Sequence, residues 1–93
     1  MVILRIRQAE TAVADGRLDE AYELAKRYDI QQHRRGQKLI SHLVDQLLDR
    51  GQAHVEANQL EQALADYDRA AKLGGNQLRI ATLRSSALAE LDT

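Results

Sequence analysis

The chain is 93 residues long, lacks cysteine and carries a formal net charge of −1, which together exclude several classes of function. Without cysteine there are no disulfides, thiolate zinc sites or cysteine nucleophiles, and a cytoplasmic location is the expected one. The small net charge gives no general attraction to nucleic acid or membrane surfaces, and no apolar run approaches the roughly 20 residues of a transmembrane helix, so neither is an expected partner.

The predicted elements are helices throughout, because the chain has no proline, only 5 glycines and many residues that lose little side-chain freedom in a helix. Apolar residues recur at three- and four-residue steps over residues 2–28 and predict a helical hairpin. Its turn is placed at Gly16, since glycine accepts a positive φ at a helix end. Residues 29–36 lack this periodicity and end in Gly36, which predicts a connector.

A second, extended hairpin is predicted over residues 37–73, where the apolar pattern is strongest. Its turn falls at Asn58, because asparagine tolerates the left-handed backbone region better than most residues. The glycines at 74–75 end this hairpin, and a C-terminal capping helix is predicted over residues 77–91. We therefore expect residues 1–93 to form a single all-α domain of about five helices, arranged as antiparallel hairpins.

An offset of 42 residues relates the two hairpins to each other. The matched pairs are Val13 with Val55, Gly16 with Asn58, Leu18 with Leu60, Ala21 with Ala63, and Arg27 with Arg69. Two further pairs exchange tyrosine and alanine, since Ala25 matches Tyr67 and Tyr28 matches Ala70. Such an exchange conserves the combined side-chain volume of a close-packed core. A repeated helix–turn–helix unit is typical of an α-solenoid.

Small and large residues alternate in the second hairpin at Gly51, Ala63, Tyr67 and Ala70. These residues and their spacing resemble the tetratricopeptide repeat, most clearly over residues 44–77. In that family the small residues let the two helices of a hairpin approach, and the large residue fills the gap beside them. Three positions depart from the family pattern: Arg50 replaces leucine, His54 replaces tyrosine and Gly75 replaces the closing proline.

The resemblance implies a non-catalytic scaffold for protein–protein interaction, either free-standing or part of a larger protein. In stacked hairpins of this kind the first helix of each pair lines a concave face that binds the partner. The expected groove residues are Asp45, Leu48, Gln52, Glu56, Arg79 and Leu83, with Ile6 and Glu10 at the same places in the first hairpin. This mixture favours a protein or peptide segment with apolar anchors and some basic residues.

A basic cluster offers a second candidate surface, with only Asp29 opposing it nearby in the sequence. One interpretation is a contact for phosphate or for an acidic peptide. The other is a solvated connector whose cations suit the C-terminal end of the second helix. The cluster consists of Lys26, Arg27, Arg34, Arg35 and Lys38.

Self-association is the alternative function. The long helix of the second hairpin has apolar residues at two adjacent positions in every turn. Near Leu39, Ile40 and Leu43 it has few neighbours available within the predicted hairpins, so this stretch is expected to present an apolar patch. The patch predicts a homodimer, unless residues 29–36 fold back and cover it.

No catalytic, cofactor or metal site is recognisable in the sequence. The histidines at 33, 42 and 54 do not have the i,i+3 or i,i+4 spacing that brings metal ligands together on a helix. His54 in particular stands at a packing position of the repeat. Acidic pairs such as Asp66 and Asp68 are expected to face water, because a hydrolytic pair needs a concave site that separates the two pKa values. The chain is therefore not expected to be an enzyme.

Overall fold

The computed structural model describes residues 2–91, and this part of the chain is built from α-helices alone. Its helices are α1 (Val2–Ala14), α2 (Leu18–Ala25), α3 (Tyr28–Gln31), α4 (Arg34–Glu56), α5 (Leu60–Lys72) and α6 (Gln77–Leu91). The all-α prediction is confirmed. The described residues contain six helices instead of about five, because α3 forms inside the predicted connector. None of these helices is long and apolar enough to cross a membrane.

The chain divides into two compact units, residues 1–44 and residues 45–93, and the boundary falls within α4. The first unit holds α1, α2, α3 and the start of α4, and its buried apolar residues are Ile6, Ala9, Ala12, Val13, Leu18, Ala21, Ala25, Ile30, Leu39, Ile40, Leu43 and Val44. The second unit holds the rest of α4, α5 and α6, and its buried apolar residues are Leu47, Leu48, Ala63, Tyr67, Ala70, Leu73, Ile80 and Ala87.

The short helix α3 folds back against the start of α4 in the first unit. Ile30 is fully buried, and a Cβ atom built at Gly36 would lie 2.0 Å from the carbonyl oxygen of Ile30. Only glycine fits at such a close approach of two backbones. Gly36 lies inside α4, so the prediction that it ends a connector is wrong.

Of the two outcomes expected for the start of α4, an exposed apolar patch or a covered one, the structure shows the covered one, since Leu39, Ile40 and Leu43 are buried. The packing prediction for Tyr28 is wrong. Tyr28 is 76% exposed and does not contribute to a core. Its exposure has a local cause, because α2 ends at Ala25 and Tyr28 begins α3, so Tyr28 does not continue the apolar face of α2.

The turns after α1 and α4 have the same backbone geometry at the predicted offset of 42 residues. Gly16 has a φ of +78° and Asn58 a φ of +60°. In both turns this residue donates its amide hydrogen to the carbonyl three residues earlier, and the next residue donates to the carbonyl five positions earlier. This arrangement satisfies the last carbonyls of each helix and lets the chain reverse.

One glycine–tyrosine contact organises the α4–α5 hairpin in the second unit. A Cβ atom built at Gly51 would lie 2.5 Å from Cε1 of Tyr67, and the Tyr67 side chain is buried. Ala63 and Ala70, on the same face of α5, are fully buried. The small residues thus allow close approach and the ring fills the space beside them, as the small–large pattern predicts.

Candidate functional site

The second unit carries a small groove between α4 and α6, with α5 beneath it. The groove has a volume of about 170 Å³ and is lined by Gln52, Val55, Glu56, Tyr67, Leu83, Ser86 and Ala87. Three of the six expected groove residues, Gln52, Glu56 and Leu83, are therefore brought together. Sequence reasoning missed four lining residues: Val55, Ser86 and Ala87, each within four positions of an expected residue on the same helix, and Tyr67 on α5.

The helical repeat explains how this groove is built. Val55 and Glu56 follow Gln52 by three and four residues, so the last turns of α4 present all three on adjacent faces. On α6, Leu83 and Ala87 have the same four-residue spacing. Tyr67 and Ala87 are buried and form the apolar floor, whereas Glu56 and Ser86 are exposed at the rim.

The size of the groove restricts what it can hold. Small-molecule sites usually measure roughly 300–1,000 Å³ and enclose most of the ligand. A groove of about 170 Å³ falls below that range. It suits one or two side chains of a peptide that crosses the surface, with an apolar group on the floor and a polar or basic group beside Glu56.

The remaining expected groove residues do not line this groove. Asp45 and Arg79 form an exposed ion pair with 3.6 Å between Oδ1 and Nη1, so each already has a counter-charge. Leu48 is 1% exposed, and Ile6 in the first unit is fully buried. The prediction that Leu48 and Ile6 line an accessible concave face is therefore wrong, because both apolar side chains are taken into the interior. Glu10 is bound by Arg35.

Acidic side chains neutralise much of the basic cluster in the first unit. Arg35 donates to both carboxylate oxygens of Glu10, at 2.7 and 2.9 Å. This hydrogen bonding, together with the positive charge of Arg35, lowers the pKa of Glu10 despite partial desolvation. The other pairs are Lys26 with Glu23 at 2.6 Å and Arg27 with Asp29 at 3.5 Å. The sequence order indicated that Asp29 is the only acidic residue near the cluster, but Glu10 and Glu23 also pair with it.

Arg34 and Lys38 are exposed members of the same cluster. Lys38 borders a shallow groove of about 260 Å³ together with Glu10, Val13, Ala14, Leu39 and His42. Glu10 stands in this groove too, so its charge is mixed. The interpretation as a solvated connector with local ion pairs accounts for the cluster better than a site for an acidic ligand.

A wider depression, of about 510 Å³, lies on the α1–α2 hairpin. Its walls carry both signs of charge, and Arg17 there is bound by Asp15 at 3.2 Å and by Glu20. The sequence gives no signal for it, because its residues are scattered over exposed helix faces. They are Arg7, Gln8, Thr11, Arg17, Glu20, Glu23 and Leu24.

A buried carboxylate in the second unit is the main feature that sequence reasoning missed. Asp66 is 1% exposed, which corrects the expectation that it faces water. Arg50 donates to both of its oxygens at 2.7 and 2.9 Å, and Arg69 donates to Oδ1 at 2.8 Å. His54 Nε2 lies 3.6 Å from Oδ2, and its Nδ1 is 2.8 Å from Oε1 of Gln59.

Two of the three departures from the tetratricopeptide pattern account for this cluster. Arg50 and His54, which replace an apolar and an aromatic residue of the family pattern, are the groups that face Asp66. At the offset of 42 residues the first hairpin has Leu24 in place of Asp66 and Gln8 in place of Arg50. The aspartate at 66, where the first hairpin has Leu24, together with the arginine at 50, is the signal that could have predicted the pair.

Arg50 and Arg69, both in the second unit, neutralise the Asp66 carboxylate. Burial raises the pKa of the neighbouring Tyr67 phenol, and the negative charge of Asp66 raises it further. Within residues 2–91, no three histidine or acidic side chains are arranged to hold a metal ion.

Comparison with known proteins returned no match to this chain, whether to protein-family profiles, to curated proteins or to solved structures.

Proposed function

We propose that this chain is a non-catalytic protein-interaction module, a short tetratricopeptide-like scaffold, that binds a peptide segment of a partner protein in the α4–α6 groove. One observation carries the proposal: Gln52, Glu56 and Leu83 line one groove with an apolar floor and an acidic rim. The groove favours a ligand with an aliphatic anchor close to a lysine or arginine. Because it contacts only one or two side chains, we expect micromolar or weaker affinity.

The tetratricopeptide-like architecture draws its support from packing and turns. Gly51 against Tyr67 reproduces the small–large contact between the two helices of a hairpin. The left-handed residues Gly16 and Asn58 end equivalent helices at the repeat offset. The glycine–tyrosine contact lies in the second unit, and each unit contains one of the two turns.

Self-association through the start of α4 is not part of this proposal, since Leu39, Ile40 and Leu43 are buried. The basic cluster is the competing peptide site, and its exposed members Arg34 and Lys38 would select acidic sequences. The two surfaces therefore demand ligands of opposite charge.

A displayed library of random peptides, selected on the immobilised protein, tests the proposal. We expect enrichment of peptides that combine an aliphatic residue with a nearby basic residue. Glu56→Lys should weaken their binding by charge repulsion, and Ser86→Tyr should weaken it by filling the groove from an exposed position.

Two variants serve as matched controls. Ser41→Tyr places the same ring at an exposed position of α4 in the first unit, and Arg34→Glu reverses one charge of the basic cluster. Both should leave binding unchanged. Enrichment of acidic peptides that depend on Arg34 would show that the groove assignment is wrong.

A further inference from the structure

Helix α6 is apolar on two opposite faces. Its inner face packs into the second unit through the buried residues Ile80 and Ala87. Its outer face leaves Leu78 80% exposed and Leu88 46% exposed. Between them the spacing i, i+3, i+7 and i+10 places Ala81 and Ser85 on the same stripe, with no charged side chain among the four. A helix that is apolar on both sides is typical of one that is covered on both sides.

The outer face of α6 also repeats the face of α4 that binds α5. At an offset of 34 residues, Arg84 matches Arg50 and Ser85 matches Gly51. In α4 this arginine–small residue pair receives an acidic–aromatic pair from α5. Arg50 binds Asp66 through two hydrogen bonds, and the Tyr67 ring packs over Gly51.

We propose that the outer face of α6 binds an amphipathic helix of a partner protein, one in which an acidic residue is followed directly by a large aromatic residue. The carboxylate pairs with Arg84, and the ring packs over the small Ser85. Leu88 contacts an apolar residue about one helical turn from this pair, and Leu78 contacts one about two turns away on the other side. The hydroxyl of Thr82, beside this stripe, already donates a hydrogen bond to the carbonyl of Leu78 at 3.0 Å, so it needs no acceptor from the bound helix.

Charge complementarity favours such a partner over a second copy of this chain. An antiparallel pair of α6 helices that sets Ala81 against Ser85 also sets Leu78 against Leu88, so the apolar residues match. The same register places the two Arg84 side chains beside each other near the two-fold axis. Like charges in that position oppose the pairing, whereas an acidic residue from a different helix satisfies each arginine.

This surface is independent of the α4–α6 groove. Leu83, Ser86 and Ala87 line the groove, whereas the outer stripe lies on the opposite side of α6. An experiment that disproves binding at one surface therefore does not bear on binding at the other.

A peptide that carries the acidic–aromatic pair tests the proposal. The probe is a synthetic peptide of residues 59–73, which contains α5, titrated into the full ¹⁵N-labelled chain. We expect amide shifts to change at Leu78, Ala81, Ser85 and Leu88, and to leave the groove residues unchanged. Arg84→Glu should weaken binding about tenfold or more, because a charged hydrogen bond is lost and a repulsion replaces it.

A charge exchange separates this contact from general attraction. Replacing the aspartate that corresponds to Asp66 by lysine in the peptide should restore binding to Arg84→Glu, and Ser85→Tyr should abolish binding of both peptides. Arg34→Glu, an exposed charge reversal in the first unit, is the control that should change nothing. Thermal melts of Arg84→Glu and Ser85→Tyr should match the parent, since both residues are exposed.

Three results would overturn the proposal. The first is the absence of shifts at millimolar peptide. The second is a set of shifts centred on α4, which would mean that the peptide displaces the chain's own α5. The third is a concentration-dependent dimer in sedimentation experiments that Ser85→Tyr abolishes, which would assign the outer face of α6 to self-association.

Discussion

Asp66 and Arg50 show how a buried carboxylate can be accommodated in the α4–α5 hairpin. Removing a carboxylate from water is costly, and its attraction to a cation offsets that cost only where geometry is good and every lone pair is used. For Asp66, Arg50 donates hydrogen bonds to both carboxylate oxygens and Arg69 donates one to Oδ1. The pair therefore specifies how α4 and α5 align, while its net contribution to stability is small compared with that of a leucine at the same site.

Breaking this pair from one side should cost more than removing both partners. Arg50→Met leaves the buried carboxylate of Asp66 with weaker compensation, and we expect a loss of about 2–3 kcal/mol of unfolding free energy. The double variant with Asp66→Leu, which restores the residue type of the first hairpin, should recover at least half of that loss. Urea unfolding of the two variants measures the difference. Additive destabilisation in the double variant would contradict this account.

Gly51 should not tolerate alanine, although alanine has the higher helix propensity by about 1 kcal/mol. The new Cβ atom would lie 2.5 Å from Cε1 of Tyr67, far inside contact distance. We expect a net destabilisation of about 1–3 kcal/mol, seen as a fall in the melting temperature of several degrees. Adding Tyr67→Leu should relieve part of the clash. A melting temperature at or above that of the parent would disprove the close approach.

The Glu10–Arg35 pair should make stability depend on pH in the acidic range. In the folded state the pKa of Glu10 lies below the ordinary value of 4.5, because Arg35 donates hydrogen bonds to its carboxylate. The pair therefore stabilises the fold above pH 4.5, and this contribution disappears as the pH falls through the lowered pKa. The effect is modest, since both side chains are more than one third exposed.

The matched variant Glu10→Gln isolates this effect. The stability difference between parent and variant should be greatest near neutral pH, shrink below pH 4.5 and become smaller in high salt. Unfolding curves collected between pH 3 and pH 7 give the comparison. A difference that grows on acidification would mean that the pair has the opposite role.

At the scale of elements, periodicity predicted the long helices well and the short one not at all. The apolar bands of α4 and α5 cover several turns, so their repeats are visible in the sequence. Helix α3 has four residues, which is one turn and too short to show a period. Gly36 was interpreted as a stop signal, yet it lies inside α4, and glycine is needed there because the backbone of Ile30 leaves no room for a Cβ atom.

Ile30 should therefore act as a core residue. Its side chain is fully buried where α3 meets α4, so Ile30→Ala should cost about 2–5 kcal/mol through lost burial and a new cavity. Tyr28→Ala, two residues away and largely exposed, is the control and should change stability by less than about 0.5 kcal/mol. Chemical denaturation of the two variants distinguishes them. Equal and small effects would mean that α3 is not part of the folded core.

At the scale of the whole molecule, the sequence predicted the helical class and three of the seven residues that line the candidate groove. Gln52, Glu56 and Leu83 were accessible to prediction because the resemblance to the tetratricopeptide pattern assigned them to one face. The ion pair of Glu10 with Arg35 was not, since it joins residues on different helices and no repeat position marks it. Leu48 was misassigned because an apolar residue at a groove position and one at a core position look alike in sequence.

We propose that the α4–α6 groove binds a peptide with an aliphatic anchor and a nearby basic residue. Chemical-shift mapping on the ¹⁵N-labelled chain, with a peptide selected from the random library, locates the binding site. We expect the perturbed amides to cluster at Gln52, Val55, Glu56, Leu83 and Ser86, and Glu56→Lys to suppress the change. Perturbations centred on residues 26–38, or no perturbation at millimolar peptide, would contradict it.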